Sequence, residues 1–301
     1  MAPKRLEVEI DGRRLSLSNL DKVLYPEAGF TKGHVIDYYT RVAPYVLAHL
    51  RGRPLTLKRY PNGVDETYFY EKQCPSHRPD WVRTAAVYSR SNDRTIDFCL
   101  ADDLPTLVWL ANLADLELHT SLALAADVTQ PTILAFDLDP GAPATIVECA
   151  EVALELRAAF EHLGLQAFPK TSGSKGMQVY VPLNTPVTYK ETKGFALGLA
   201  QLLERRMPKL VVSNMKTSLR RGKVFVDWSQ NDEHKTTVCV YSLRARPQPT
   251  VSTPLEWDEV EAVLASRDPD DLAFTSADVL ERVSERGDLF APVAELEQSL
   301  P

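Results

Sequence analysis

The chain has 301 residues, 44% of them hydrophobic and 25% charged, which is enough to bury a sizeable core and ordinary for a soluble globular protein. It holds no apolar run of about 18 residues and its N-terminus carries no apolar leader, so a membrane-spanning helix and a secretory signal are excluded and a cytoplasmic protein is expected. A net charge of −7 argues against a uniformly basic surface, yet residues 1–60 carry 11 Lys and Arg against 6 Asp and Glu, residues 216–246 carry 7 against 3, and residues 251–301 carry 3 against 13, a segregation that suits a basic groove on an acidic body.

Leu6 to Leu17 alternates around Asp11 and Gly12 and predicts a β-hairpin. A polar loop containing Lys22 follows, then Thr31 as N-cap of an amphipathic helix to about Leu50. Lys32 falls in the first turn of that helix, where the macrodipole disfavours a cation. An anionic partner would account for it, and so would simple solvation. Residues 54–60 and 67–71 predict a second hairpin, with Lys58 and Arg59 on one strand and Phe69 and Tyr70 on the other. Aromatic faces beside cations suit a nucleotide, although aromatics in strands are commonly core. A third hairpin is expected over residues 84–100, with a polar tip from Ser89 to Arg94 placed to meet a partner. An apolar helix over 103–115 and an alternating strand from Leu116 to His119 come next. Cys74, Cys99, Cys149 and Cys239 form no Cys-x-x-Cys pair and read as buried reduced thiols, and Cys74 with His77 lacks the second half of a zinc site.

The FDLDP stretch at 136–140 ends an apolar strand, so Asp137 and Asp139 share one face while Phe136 and Leu138 anchor the other. Two neighbouring carboxylates repel, and a hard divalent cation offsets the repulsion, although Asp-x-Asp before Pro-Gly also reads as turn chemistry on a sheet edge. Capping boxes at Thr145 to Glu148 and Thr188 to Glu191 each open a helix, the first closed by Gly164 and the second ending at Arg205 and Arg206. Between them a strand near 165–168 leads into a loop from Lys170 to Gly176, followed by a strand from Met177 to Pro182. Its glycines let backbone N–H groups approach an anion, and Ser172, Ser174 and Lys175 add donors. It is not a Walker A loop, which would feed a helix. A basic segment from Lys216 to Lys223 precedes a short strand ending at Asp227, and another strand is expected at 236–241. The remainder is acidic and helical, with Thr253 to Glu256 and Ser276 as caps and Gly287 as a stop. No repeat or linker interrupts residues 1–301, so a single catalytic unit is expected.

Three strand-borne carboxylates, a Gly/Ser/Lys loop and flanking arginines are what metal-assisted nucleotidyl transfer needs. The chain also resembles the primase-polymerase domain of bacterial ligase D, of the archaeo-eukaryotic primase superfamily, from NLDKVLYP at 19–26 to YSLRAR at 241–246. The most specific pieces are KRYPNG at 58–63, FYEK at 69–72, FDLDP at 136–140, TSGSKG at 171–176 and VDWSQN at 226–231. The resemblance implies an α/β fold with an RRM-like, mostly antiparallel catalytic sheet flanked by helices, beside a second sheet-rich lobe. It implies that Asp137, Asp139 and Asp227 bind two catalytic divalent cations, Mn²⁺ or Mg²⁺. It assigns Lys58, His119, Ser172, Lys175, Gly176, Arg220, Gln230 and Arg244 to the nucleoside triphosphate, with Phe69 and Tyr70 stacking on the base. Asn19, Lys22 and Lys32 would grip a DNA 5′-phosphate, which supplies the anion that Lys32 called for. Nucleotide addition, readily of ribonucleotides, at 5′-phosphorylated gaps and breaks in non-homologous end joining or gap repair follows, with Ku and a ligase as partners and a nucleoid-associated cytoplasmic location.

Tyr70 stands where a second phenylalanine is common, the stretch between His119 and Asp137 is short, and no ligase Lys-x-Asp-Gly motif is found, so the chain is either a stand-alone primase-polymerase or one domain of a larger enzyme. A glycosyltransferase also uses Asp-x-Asp but has no need for Asp227. A non-catalytic end-bridging module has no need for any of the three carboxylates.

Overall fold

A computed structural model of the chain describes residues 5–89 and 93–301, so residues 90–92 in the tip of the expected third hairpin, and the first four residues, lie outside the described residues. Two compact units emerge, each built from separated stretches of chain. One comprises the chain up to Ser121 with Val238–Val251 and Thr275–Asp288, and the other Leu122–Thr237, Ser252–Phe274 and Leu289–Pro301. The architecture is the expected α/β type, each unit containing a mostly antiparallel sheet.

In the second unit, five strands run in the order Phe168–Thr171, Met177–Pro182, Ile133–Pro140, Val224–Asp227, Val211–Val212, antiparallel except for the last pair. Alternation along Ile133–Pro140 turns Phe136 and Leu138 inward, both fully buried, where Phe136 meets Phe160 with ring centroids 5.5 Å apart. The helices Ile146–His162 and Tyr189–Arg206 begin at the two expected capping boxes, Thr145 with Glu148 and Thr188 with Glu191. Glycine is demanded at two places beside the carboxylate strand. A Cβ on Gly176 would lie 2.1 Å from the Leu138 carbonyl oxygen, and one on Gly141 would lie 2.0 Å from that of Arg220.

In the first unit, Leu55–Arg59 pairs with Asp115–Thr120, Arg94–Cys99 and Phe69–Glu71, and Thr84–Ser89 lies outside Arg94–Cys99. The helix Lys32–Leu50 starts at Thr31, whose side chain and that of His34 cap each other, and it buries Val35, Tyr38, Tyr39, Val42 and Val46. The first hairpin pairs Arg5–Ile10 with Arg13–Ser18 and turns at Asp11 and Gly12, both at positive φ. No helix among the described residues is long and apolar enough to cross a membrane.

Several local expectations are corrected. Cys74 and Cys99 form a disulfide, because the backbone bond from Cys74 N to Asp97 O brings the two segments side by side; Cys149 and Cys239 are buried free thiols, as expected. Lys170 belongs to a buried strand rather than to the loop after it. Glu256, boxed with Glu259, caps Trp257–Ser266, whereas Thr253 is buried and bonded to Thr171. Thr275, boxed with Asp278, rather than Ser276, caps Ser276–Arg286. The strand expected at 236–241 shortens to Thr237–Val238, and an unexpected small hairpin, Ala123–Leu124 with Asp127–Pro131, fills the stretch between His119 and Asp137. Gly176→Ala drives a methyl group into backbone and is expected to lower unfolding stability by roughly 1–3 kcal/mol in urea denaturation; an unchanged midpoint would contradict the close approach.

Candidate active site

The three expected metal ligands lie on one face of the second unit's sheet. Asp137 is the antiparallel register partner of Asp227, and Asp139 follows two residues along the same strand. Directly opposed side chains in such a pair have Cβ atoms about 4.5–5.5 Å apart, so carboxylate repulsion is built into the register. Burial, followed by the negative charge of Asp139 and of Asp227, pushes the Asp137 carboxyl up to about 7, against a hydrogen bond from Gln178 and the charge of Lys170, which lower it. Asp227 is held by its own turn: its Oδ1 accepts from Ser229 N at 2.9 Å and Ser229 Oγ at 2.6 Å, and its Oδ2 from Gln230 Nε2 at 3.2 Å. Gln230 thus orients a carboxylate as well as being a candidate nucleotide contact. Among the described residues no three His, Cys, Asp or Glu side chains are drawn together into a metal site on their own. The donor set nevertheless fits hard divalent cations: all oxygen, all anionic, on one face, and mutually repelling without a counter-charge.

The loop between the strands Phe168–Thr171 and Met177–Pro182 closes on itself. Ser172 N donates to Gly176 O at 2.9 Å, and Ser172 Oγ accepts from Ser174 N and Gly176 N, both at 3.2 Å. Those two backbone donors are therefore occupied by a hydroxyl, while Lys175 extends into solvent. Arg220 lies 3.7 Å over the Phe225 ring and donates from Nη2 to Met215 O, which fixes its guanidinium plane.

In the first unit a residue that the sequence reading passed over organises the others. Glu117, 2% exposed, accepts from Lys58 Nζ at 3.2 Å on each oxygen, from Tyr60 Oη at 3.2 Å and from Ala245 N at 3.1 Å. His119 Nε2 lies 3.0 Å from its Oε2, and Arg244 Nε pairs with the same oxygen at 3.3 Å. Burial would raise the Glu117 carboxyl, but His119, Arg244 and Lys58 hold it well below the usual carboxylate range. Burial lowers the His119 imidazole in spite of Glu117. Three expected nucleotide residues thus converge on one buried anion. The alternation of Leu116, Glu117, Leu118 and His119, which puts Glu117 on the face of His119, was the signal available in the sequence.

The aromatic strand divides its residues between two faces. Tyr68 and Tyr70 stand near Lys58, whose Nζ lies 4.6 and 5.6 Å from their ring centroids, and Tyr70 meets the His119 ring edge-on at 6.0 Å. Phe69 faces the other way, beneath the Arg59 guanidinium at 5.1 Å. Tyr70 therefore shares the face of Lys58 and His119, and Phe69 does not.

Asn19, Lys22 and Lys32 form a second cationic patch in this unit. Asn19 sits at positive φ, its carbonyl accepts from Lys22 N, and Lys22 O in turn accepts from Lys32 N at 2.8 Å. Lys32 is 5% exposed and donates to Asn112 O at 3.0 Å and Ser18 Oγ at 3.3 Å, while Lys22 Nζ donates to Asn62 Oδ1 at 2.8 Å. Burial, then the charge of Lys22, pulls Lys32 down to about 8. Solvation does not explain a buried ammonium, and among the described residues no carboxylate pairs with either lysine.

Residues 31–290 match the family model described as the LigD primase-polymerase domain. The multifunctional non-homologous end joining protein LigD of Mycolicibacterium smegmatis is 44% identical over 282 residues, covering 93% of this chain and 36% of that protein. The bifunctional LigD of Bacillus subtilis is 31% identical over 91% of this chain and 43% of that protein. The chain thus spans well under half the length of these curated relatives. Among solved structures, the polymerase domain of Mycobacterium tuberculosis ligase D in complex with DNA superposes with a TM-score of 0.87 at 41% identity, covering 95% of this chain and 99% of that one. Glu117→Gln removes the anion that Lys58 and Arg244 share, and a loss of about 3–5 kcal/mol in chemical denaturation is expected, with a further fall in the His119 pKa by NMR titration.

Proposed function

Because the chain belongs to the LigD primase-polymerase domain family, we propose that it is a template-dependent nucleotidyltransferase that extends DNA 3′ ends at 5′-phosphorylated gaps and breaks, accepting ribonucleotides readily. The observation that carries this reading is the placement of Asp137 opposite Asp227 with Asp139 on the same face. Two divalent cations held there, Mn²⁺ or Mg²⁺, would supply charge stabilisation at the attacking and leaving oxygens. Asp137, Asp139 and Asp227 would hold them, with Ser229 and Gln230 fixing the angle of Asp227.

In the second unit Ser172, Lys175, Gly176, Arg220 and Gln230 are assigned to the triphosphate. Gly176 serves by letting the loop lie against the carboxylate strand, and Lys175 by an unburied charge. In the first unit Lys58, His119 and Arg244 are assigned to the nucleotide and Tyr70 to its base. Phe69, expected to stack on the same base, lies on the opposite strand face under the Arg59 guanidinium, so the stacking falls to Tyr70. Burial favours the neutral form of His119, whose single N–H faces Glu117 Oε2, so it fixes that carboxylate, adds no charge and offers the nucleotide only its other ring nitrogen, as an acceptor.

Asn19, Lys22 and Lys32 are assigned to the 5′-phosphate, whose charge compensates the buried Lys32. The solved relative holds DNA and the curated relatives are end-joining proteins, which supports a role in non-homologous end joining or gap repair with Ku and a ligase as partners, in the nucleoid-associated cytoplasm.

Asp137→Ala or Asp227→Ala is expected to cut nucleotide addition by on the order of 10²–10³-fold or more with DNA binding retained; normal extension with Mn²⁺ defeats the metal assignment. Lys22→Ala with Lys32→Ala should weaken binding of 5′-phosphorylated ends about tenfold or more, and an equal loss on 5′-hydroxyl DNA contradicts the pocket. Since Lys32 in the free protein is charged below about 8 and loses its proton above it, the preference for 5′-phosphate over 5′-hydroxyl DNA should shrink from pH 7 to pH 9. In Lys32→Ala that pH dependence should disappear.

A further inference from the structure

Lys170 is completely buried in the strand Phe168–Thr171. A buried ammonium is costly unless its hydrogen bonds are satisfied. Here it donates to Gln178 Oε1 at 2.5 Å and Ser252 Oγ at 2.7 Å, and it lies 5.2 Å from the centroid of the Tyr180 ring. Lys170 is the register partner of Gln178, Gln178 of Asp137, and Asp137 of Asp227. The four residues therefore form one row across four neighbouring strands, on the face that carries the carboxylates.

The chemistry of this row runs in one direction. A carboxamide can present either its oxygen or its NH₂, but an ammonium has no acceptor, so only the Gln178 oxygen can face Lys170. The Gln178 NH₂ is thereby turned the other way, and Nε2 donates to Asp137 Oδ1 and to Thr237 Oγ1, each at 3.0 Å. Thr237 Oγ1 is itself fixed by Tyr180 Oη at 3.2 Å. One oxygen of Asp137 is thus pinned from behind, and its rotation about the Cβ–Cγ bond is restrained.

We propose that Lys170 and Gln178 are positioning residues for the metal site: Lys170 sets the orientation of the Gln178 carboxamide, and Gln178 anchors Asp137 Oδ1 so that Oδ2 is held ready for a divalent cation. The proposal rests on the assignment of Asp137 as a metal ligand. Neither residue touches the cation or the substrate. Lys170 also places a fixed positive charge two strands from the carboxylates, which limits their repulsion before metal arrives.

The test compares Lys170→Met, Gln178→Leu, the double variant and Asp137→Ala in the full chain. Mn²⁺ binding is measured by electron paramagnetic resonance of the free ion, with a non-hydrolysable nucleoside triphosphate present. Each single variant is expected to weaken Mn²⁺ binding about 10- to 100-fold, and the double variant no more than the worse single, because both cut the same chain of contacts. In the metal-free protein, exchange of the Gln178 side-chain amide protons should be slow and become fast in Lys170→Met. Wild-type Mn²⁺ affinity in a folded Gln178→Leu variant, or additive losses in the double variant, overturns the proposal, and Gln178→Leu, which removes no charge, carries this test if Lys170→Met fails to fold. Loss of Mn²⁺ binding in Asp137→Ala alone sinks the positioning role and leaves the metal assignment standing. Retained binding in Asp137→Ala sinks the assignment itself.

Discussion

Antiparallel register forces Lys170, Gln178, Asp137 and Asp227 into a single row, and the second unit's chemistry follows from that constraint. A backbone ladder cannot relax to separate two opposed carboxylates without breaking its own hydrogen bonds. The apolar alternates on the other face, Phe136 and Leu138, are fully buried and fix the strand's orientation, so a one-residue slip would put aspartates into the core. Carboxylate repulsion is therefore held in place by hydrophobic burial. It is relieved on one side by a buried lysine acting through an amide, and on the other by a turn that ties Asp227 to Ser229 and Gln230.

The first unit solves the converse problem. Lys58 and Arg244 would repel one another if left alone, and Glu117 gathers both, together with the His119 ring, around one buried carboxylate. Because Glu117 is nearly fully buried, it holds these groups without offering a surface anion to solvent. The donors of Lys58 and Arg244 are thus already oriented, and any further anion reaching them would have to share them with Glu117.

Much of this was legible in the sequence because it is local. A hairpin announced by an Asp-Gly turn, helices announced by Thr-x-x-Glu boxes, and an aspartate pair separated by one apolar residue each follow from contacts a few residues apart. What escaped depends on partners far along the chain. Glu117 looks like the polar half of an alternating strand until Arg244 and Lys58 are brought to it. Lys170 looks like the start of a basic loop until Ser252 and Gln178 enclose it. Cys74 and Cys99 carry no spacing signature, and their bond follows from the backbone contact between Cys74 and Asp97. Thr253 resembles a helix cap by composition, but a backbone bond from Thr171 and a side-chain bond back to it draw it into the sheet instead.

The interleaving of the two units has a consequence for synthesis on the ribosome. The first unit is begun by the earliest residues but takes its last ones from Thr275–Asp288, and Asp288 bonds to both His49 and Tyr241. While translation is under way, Glu117 has emerged with Lys58 and His119 but without Arg244, and the helix Lys32–Leu50 lacks the Asp288 carboxylate that His49 meets in the folded chain. The second unit likewise waits for Ser252 before Lys170 has its hydroxyl partner. Neither unit corresponds to a contiguous piece of gene, so the nascent chain carries two unfinished cores until residues 275–301 are made, and loss of everything from Thr275 onward would strip residues from both.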